Sequence, residues 1–250
     1  MQSVDRAVRV LEILARDGES GVAAIGRELG VHGSTASRLV AALAAHELVE
    51  RNGGGLRLGV GLLRLAGAAT SRLDLAAQAQ PVCDALAEEL GETANVAVLT
   101  GGAAVNVYQA QAASSVALHN WVGQRTVLHA TSSGKVLLAF LPDEERNALL
   151  DGPLERFTER TVTSVRELRR ELRTVRENGW ATAVEEYEAG LNAVAAPVRG
   201  HDGTVIAAIS VAGPTYRLSP ERLPDAAATV VRAADAVSRR MGFTKVLPQQ

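Results

Sequence analysis

Apolar residues recur at helical spacing in the first thirty residues of the chain. The first such segment predicts a helix from Ser3 to Ala15, with the Ser3 hydroxyl as its N-cap. After a DGESG break, the segment VAAIGRELG at residues 22–30 predicts a short second helix. Gly30 is the kind of residue that ends a helix, because glycine adopts the left-handed conformation without strain.

A third helix and a hairpin follow. Gly33 or Ser34 is the predicted cap of the third helix, which continues to about His46. Its buried stripe consists of Ala36, Leu39, Val40 and Leu43. The segment LVERNGGGLRLG at residues 48–59 then places two short apolar-alternating runs around an Asn and three glycines, which predicts a β-hairpin, or wing.

The pattern changes twice beyond the hairpin. Residues 60–92 form a long apolar-periodic stretch containing Pro81, which predicts two helices with a break just before that proline. From Thr93 the chain is β-rich and has a Gly-Gly turn. The remaining predicted elements are helices over 132–141 and 164–178, a hairpin over 191–213 with a His-Asp-Gly turn, and a final helix over 219–242 capped by Ser219.

These elements predict an α+β protein with two domains. Residues 1–60 form a winged helix-turn-helix, residues 61–79 a linker or dimerisation helix, and residues 80–250 a domain in which helices cover a sheet. In the first domain, Ile25, Gly26, Leu29, Gly30, Val31, Ala36 and Leu39 occupy the apolar and small positions that a helix-turn-helix requires.

The third helix has a polar side that suits DNA. Short hydroxyl donors and one guanidinium can reach phosphates and base edges. The candidate DNA-binding residues of this helix are His32, Ser34, Thr35, Ser37 and Arg38. An ordinary solvated helix face is the alternative. Arg51 and Arg57, which flank the tip of the wing, favour DNA because a hairpin beside a recognition helix meets the phosphates of the adjacent groove.

The net charge of the chain argues against strong DNA binding by a single copy. The 26 Lys and Arg residues and 28 Asp and Glu residues give a formal charge of −2 at pH 7. A nearly neutral chain with a single recognition helix would bind DNA weakly, so we expect a dimer, or a dimer of dimers, on paired half-sites.

The composition of the chain argues against a membrane-spanning or secreted protein and against several kinds of site. The sequence has no run of about 18 apolar residues and no secretory signal pattern at its start, so we expect a cytoplasmic protein without a membrane partner. Cys83 is the only cysteine, which excludes an intrachain disulfide and a Cys-based zinc cluster. The five histidines lack metal-ligand spacing, and we predict neither a metal nor a cofactor.

The segment HATSSGK, residues 129–135, invites two enzymatic interpretations. A phosphate-binding loop would need glycine at His129 and Ser or Thr at Val136. Ser132 and Lys135 match the S-x-x-K motif of penicillin-recognising enzymes, but S-D-N and K-T-G do not follow. What remains is a turn at a helix N-terminus, whose free amides suit a carboxylate, a carbonyl or another electron-rich group. Thr131 or Ser132 could equally be only a helix cap.

Three blocks of the sequence resemble the IclR family of bacterial transcription regulators, and the resemblance covers essentially the whole chain. The blocks are SVDRAVRVLEILA at residues 3–15, LHATSSGKVLLAFLP at residues 128–142, and GWATAVEEYEAGLNAVAAPVRGHDGTVIAAISVAGP at residues 179–214. The resemblance implies a winged helix-turn-helix, a linker helix and a C-terminal GAF-like α/β domain that binds a small-molecule effector.

The resemblance also implies an effector pocket. Residue by residue, the pocket positions of family members that bind small organic acids fall on Ser132, Ser133, Ala183, Leu191, Ala193, Ser210 and Ala212. Alanine stands at 183, 193 and 212, where those members have an acid, a cysteine and a serine. The substitutions leave fewer hydrogen-bonding groups and more apolar volume, so a larger or less polar effector is expected.

Several nearby residues extend this prediction. Asn120, Trp121 and His129 flank the turn and could add an aromatic wall with polar groups, which suits an aromatic acid or amide. A core position is the alternative for Trp121. We predict that Lys135 is a surface charge and that Glu185, Glu186 and Glu188 form a solvated acidic loop.

The sequence thus predicts a DNA-binding regulator, most simply a repressor, that a metabolite controls. One alternative is a small-molecule hydrolase with an N-terminal dimerisation module, although no paired nucleophile and base stands at a recognisable motif. A ligand-binding scaffold for another protein is a third hypothesis, which would require an exposed apolar groove.

Overall fold

The computed structural model describes residues 2–70, 74–112 and 121–244. The chain forms two compact units, residues 1–73 (unit one) and residues 74–250 (unit two). The predicted α+β class, with a helix-turn-helix followed by an α/β domain, is confirmed. The predicted boundary between residues 79 and 80 falls inside a helix of unit two.

The described residues of unit one, 2–70, form four helices and a hairpin. They are α1 (Gln2–Asp17), α2 (Val22–Glu28), α3 (Gly33–Ala45), β1 (Val49–Asn52), β2 (Gly55–Leu58) and α4 (Gly61–Thr70). Strands β1 and β2 are antiparallel, and Ser20 forms two backbone hydrogen bonds with Leu56 of β2. The hydrophobic core joins α1, α2, α3 and the hairpin through Val10, Ile13, Leu14, Ile25, Leu29, Val40, Leu43, Val49 and Leu56.

Two features produce the turn between α2 and α3. Gly30 lies just beyond the end of α2 with φ of +64°, a conformation that glycine adopts without strain, as predicted. Gly26 faces Ala36 across the two helices, and a Cβ at position 26 would lie 3.4 Å from the Ala36 Cβ. The two small residues therefore allow α2 and α3 to approach closely.

Where it is described, unit two forms a six-stranded antiparallel sheet between helices. Its strands are β3 (Thr93–Thr100), β4 (Ala103–Ala110), β5 (Arg125–Thr126), β6 (Ala181–Val184), β7 (Leu191–Arg199) and β8 (Val205–Pro214), in the order β5-β4-β3-β8-β7-β6. Its helices are α5 (Leu75–Leu90), α6 (Ser132–Phe140), α7 (Asp143–Leu149), α8 (Val165–Asn178) and α9 (Leu223–Arg240), the last preceded by a 3-10 turn, Pro220–Arg222.

The helices of unit two form two layers. On one side of the sheet, α5 packs on β3 and β4, and α9 packs on β7 and β8. On the other side, α6 packs on β7 and β8, and α8 covers α6. Alternation along the strands places Asn95, Ala97, Ala195 and Ala208 on the α6 side. The sequence analysis did not identify β5, β6 or α7.

The predicted break before Pro81 is wrong. Helix α5 runs through Pro81, which lies in its seventh position. Pro81 and Ala77 are both exposed, so water can satisfy the Ala77 carbonyl that the proline cannot reach with an N–H. The buried side of the helix, Ala79, Cys83, Leu86 and Ala87, continues past the proline and keeps the helix in one piece.

Two predicted caps are also wrong, and a third is confirmed only in its position. Ser3 lies within α1, and His32 occupies the N-cap of α3, where its carbonyl accepts from the N–H groups of Thr35 and Ala36. Ser219 is the N-cap of the 3-10 turn that leads directly into α9, but its hydroxyl caps no backbone N–H and instead donates to a Glu221 carboxylate oxygen at 2.6 Å. In α1 and α3 the helix already includes the residue that was predicted to cap it.

Candidate nucleic-acid interface and ligand cavity

Helix α3 presents most of the predicted DNA-binding residues to solvent. His32, Ser34, Ser37 and Arg38 are exposed, whereas Thr35 is half-buried. The guanidinium of Arg38 forms no ion pair with any residue that the structure describes. Ala36 and Val40 lie on the buried side of the helix, so the polar residues share the opposite, outward side. Arg38 is the longest side chain on this outward side, and no ion pair with a described residue competes with DNA for its guanidinium.

The two arginines of the hairpin differ in their surroundings. Arg57 donates to the Glu50 carboxylate across the β1–β2 pair, whereas Arg51 has no ion pair among the described residues. The register places Arg51 opposite Leu56 and Arg57 opposite Glu50. Since successive residues of a strand point to opposite faces, the two arginines leave opposite faces of the hairpin. Arg57 would have to share its guanidinium between Glu50 and a phosphate.

Unit two contains a concave cavity between its sheet and the N-terminus of α6. The cavity encloses about 580 Å³ of space outside the protein atoms, with its open mouth included. Eight residues that the sequence analysis proposed for effector binding line this cavity: Trp121, Ser132, Ser133, Ala183, Leu191, Ala193, Ser210 and Ala212.

The N-terminus of α6 forms one wall of the cavity. Thr131 is the N-cap, and its Oγ1 accepts from the Gly134 N–H at 3.1 Å while donating to the Val127 carbonyl at 2.7 Å. The N–H groups of Ser132 and Ser133 make no hydrogen bond within the described part of the chain. Thr131 therefore caps the helix and leaves two donors at the positive end of the helix dipole beside the cavity.

Close backbone packing fixes this wall in place. A Cβ at Gly134 would lie 2.5 Å from both the Cα and the carbonyl oxygen of Leu128. Only glycine allows the first turn of α6 to lie so close to the segment that precedes it. The segment 127–131 and the helix N-terminus therefore form one rigid corner of the cavity.

Aromatic rings form a second wall. The Trp121 and Tyr187 rings line the cavity and meet edge to face, with centroids 6.2 Å apart. Phe157 packs behind Tyr187 at 5.1 Å, and His129 packs on Phe157 at 6.0 Å. His129 itself does not line the cavity: it is buried, and its Nε2 lies 2.8 Å from the Glu155 carbonyl oxygen. Asn120 lies outside the described residues.

The sequence analysis missed further residues that line the cavity. These are Asn95, Asn106, Thr126, Ala130, Thr131, Tyr187 and Glu188, of which Thr131 was considered only as a cap and Glu188 only as part of an acidic loop. The signal for Asn95 was present in TANVAVLT, where a lone amide interrupts an otherwise apolar strand. A polar residue at such a position is buried and needs a hydrogen-bond partner.

The predictions that Lys135 is a surface charge and that Glu186 is solvated are wrong. Lys135 is 3% exposed, and its Nζ lies 2.7 Å from Oε1 of Glu186 and 2.8 Å from Oε2 of Glu171. Glu186 is buried too, and burial raises its pKa above the usual range against the opposing effect of the Lys135 ammonium. This ion-paired triad ties α6 to α8 and to the loop that carries Tyr187 and Glu188.

The sequence around Lys135 indicates that this residue is buried and needs a partner of opposite charge. It is the only Lys, Arg, Asp or Glu between Arg125 and Asp143, and eight consecutive residues of α6, 132–139, are buried. A charge in a helix that is buried all round must have a partner of opposite sign. The EE pair at residues 185–186 was a candidate for that partner.

In the described ranges, no three His, Cys, Asp or Glu side chains lie close enough together to hold a metal ion. None of the helices given above is long and apolar enough to cross a membrane.

Comparisons with known proteins cover almost the whole chain. Residues 3–53 match the family described as IclR helix-turn-helix domain, and residues 67–239 match the family described as Bacterial transcriptional regulator IclR C-terminal. The HTH-type transcriptional regulator XynR of Escherichia coli K12 is 31% identical over 247 residues, which is 97% of this chain and 98% of XynR.

Two further proteins are similar over the same extent. The HTH-type transcriptional repressor AllR of Klebsiella pneumoniae is 33% identical over 246 residues, which is 97% of this chain and 90% of AllR. The crystal structure of the Agobacterium tumefaciens repressor BlcR superposes with a TM-score of 0.80 at 26% identity, and the match covers 97% of this chain and 98% of BlcR.

Proposed function

The chain belongs to the IclR family of bacterial transcriptional regulators, and on that premise we propose that it is a repressor controlled by a small-molecule effector. Members of the family are DNA-binding transcription factors without enzymatic activity, so the hydrolase alternative has no support. We place the operator contacts on α3 and the hairpin and the effector in the cavity of unit two. A regulator of chromosomal genes would act in the cytoplasm.

The outward side of α3 is the observation that carries the DNA-binding part of the proposal. Ser34, Ser37 and Arg38 are exposed there, and Arg38 is not committed to an ion pair among the described residues. An unpaired guanidinium on a recognition helix can form a bidentate contact with a guanine edge. His32 and Thr35 at the start of the helix, with Arg51 and Arg57 on the hairpin, would contact phosphates.

One general argument and one observation on unit one support a dimer, or a dimer of dimers. One recognition helix reads only a half-site, so specific binding needs a second copy. Apolar side chains that would pack against a second copy are unusually exposed on α1 and α4: Val4 is 68% exposed and Leu63 is 73% exposed. The two relatives named as repressors, AllR and BlcR, support repression as the regulatory outcome.

The cavity supports an acidic effector with an apolar or aromatic body. The free N–H groups of Ser132 and Ser133 suit a carboxylate. The Trp121 and Tyr187 rings, together with the alanines at 183, 193 and 212, suit an apolar body more than a small polar acid. Control of DNA binding requires that the effector bind two arrangements of the dimer unequally.

Replacement of Arg38 by alanine tests the DNA contacts. We expect Arg38→Ala to weaken binding to the preferred duplex by about tenfold to a hundredfold, because it removes a base-edge contact. The duplex is first selected from random DNA with the wild-type protein, and the affinities are measured by fluorescence anisotropy at one salt concentration.

Arg9→Ala is the matched control, since it removes the same charge from the exposed side of α1. We expect the control to keep nearly wild-type affinity. Equal losses in the two variants would assign the effect to net charge and remove Arg38 from the interface.

A further inference from the structure

The sheet side of the cavity carries a buried amide without a partner. Asn95 on β3 is 6% exposed and lines the cavity, and its Oδ1 is enclosed without a hydrogen-bond donor among the described residues. Native proteins rarely leave such an oxygen unmatched, because the group loses its hydrogen bonds to water on burial. An unmatched acceptor beside a cavity points to a donor on the molecule that fills the cavity.

Asn95 belongs to a strip of polar side chains on one face of the sheet. The register places Asn95 directly opposite Ser210 of β8. A β-bulge between Val96 and Ala97 brings Asn106 of β4 opposite Ala97, and thus onto the same face. Asn95, Asn106 and Ser210 all line the cavity, and their amide and hydroxyl groups form no side-chain hydrogen bond within the described ranges.

The other residues around the cavity show why the polar strip would select a ligand that carries a hydrogen-bond donor. Its other sheet residues include Ala183, Ala193 and Ala212, which offer no polar side-chain atom. The free N–H groups of α6 are donors, so they cannot satisfy a donor on the ligand. A ligand hydroxyl or N–H group placed over the sheet therefore finds its acceptors on the polar strip and on the Thr126 hydroxyl of β5, whereas Tyr187 and Glu188 lie on the loop between β6 and β7.

We infer that Asn95 is a specificity-determining residue that selects a carboxylic acid bearing a hydroxyl or amide N–H group on the part of its body remote from the carboxylate. The inference rests on the proposed function in one respect, that the cavity of unit two is the effector site. The carboxylate occupies the N-terminus of α6 and the body lies beside the Trp121 and Tyr187 rings. Protein atoms enclose Asn95 Oδ1 in this structure, so the amide must turn about its Cβ–Cγ bond to present that oxygen to the remote donor.

Matched pairs of benzoates test this inference on the full chain. The probes are 3- and 4-hydroxybenzoate and their isosteres 3- and 4-methylbenzoate, and binding is measured by isothermal titration calorimetry. For the wild-type protein, we expect at least one hydroxy acid to bind tenfold or more tightly than its methyl partner. In Asn95→Leu, a near-isosteric change that removes the acceptor, we expect this preference to disappear.

Two controls keep the result interpretable. Asn95→Leu should melt at or above the wild-type temperature, because it removes a buried unmatched amide. Thr174→Val, which removes a hydroxyl on α8 outside this cavity, should keep the wild-type preference. Equal binding of hydroxy and methyl acids, a preference that survives Asn95→Leu, or binding of none of the four acids would overturn the inference.

A titration of the operator duplex distinguishes failure of the proposed function from failure of the inference about Asn95. The operator duplex is titrated with protein in the presence of each acid that binds. An acid that shows the Asn95-dependent preference and leaves operator affinity unchanged would support the selectivity of the cavity and contradict its role as the effector site.

Discussion

The Lys135→Met variant should lose about 3 to 5 kcal/mol of unfolding free energy at pH 7 to 8, the cost of leaving a buried charge without its partner. Lys135 is 3% exposed and lies within 3 Å of two carboxylates. Methionine fills a similar volume but leaves the buried carboxylate of Glu186 unpaired. Glu171 is partly exposed, so water screens its share of the loss.

The unfolding free energy that Lys135→Met loses should be smaller at low pH than at pH 7 to 8. Burial already raises the pKa of Glu186, and loss of the Lys135 ammonium raises it further. A carboxyl group with a raised folded-state pKa favours folding most when it is protonated, below its unfolded pKa of about 4.3. That contribution is lost as the pH rises through the folded-state pKa. The difference between Lys135→Met and wild type should therefore shrink as the pH falls toward 4.5.

Chemical denaturation followed by tryptophan fluorescence measures this difference, because Trp121 and Trp180, the two tryptophans of the chain, both lie in unit two. A second substitution, Glu186→Gln in the Lys135→Met background, should recover much of the lost stability by removing the unpaired charge. A loss below about 1 kcal/mol that does not vary with pH would contradict a buried ion pair, for which several kcal/mol are expected.

The Gly134→Ala variant should disrupt the corner of the cavity at α6. Its Cβ would lie 2.5 Å from backbone atoms of Leu128, which cannot rotate away as a side chain can. Overpacking of this kind costs about 1 to 3 kcal/mol, and the first turn of α6 must shift to relieve it. We expect lower stability by the same fluorescence assay, together with loss of binding by any acid that the wild-type cavity takes.

Gly200→Ala is the matched control in the same unit. Its Cβ would meet a methyl group of the Ile206 side chain at 3.1 Å, and that side chain can adjust. We expect it to lose less than half as much stability as Gly134→Ala and to keep ligand binding. Wild-type binding and stability in Gly134→Ala would show that α6 does not need its close approach to Leu128.

The sequence predicted those parts of the fold that depend on local pattern. Apolar periodicity placed α2, α3 and α8, and glycine-rich turns placed the β1–β2, β3–β4 and β7–β8 hairpins. The errors arose where tertiary packing overrides a local rule. Pro81 predicted a break in α5, but the apolar side of that helix is buried against the sheet on both sides of the proline.

The candidate cavity was predictable only in part. Its helix N-terminus, Trp121 and the small residues of β6, β7 and β8 came from motifs and from the family resemblance. The polar strip did not, because Asn106 reaches the cavity side only through the bulge in β4, which no local pattern predicts. Likewise, the partners of Lys135 lie 36 and 51 residues away along the chain, at Glu171 and Glu186, and only the fold brings them together.

The central claim is that this chain is a sequence-specific DNA-binding repressor, and a titration of DNA from upstream of its own gene tests it most directly. Anisotropy of the labelled duplex is measured at two salt concentrations with excess unrelated DNA as competitor. Saturable binding that survives the competitor and weakens steeply with salt is the predicted result, because specific contacts add to the release of counterions from phosphates. Binding that unrelated DNA displaces as readily as unlabelled target DNA would contradict the claim.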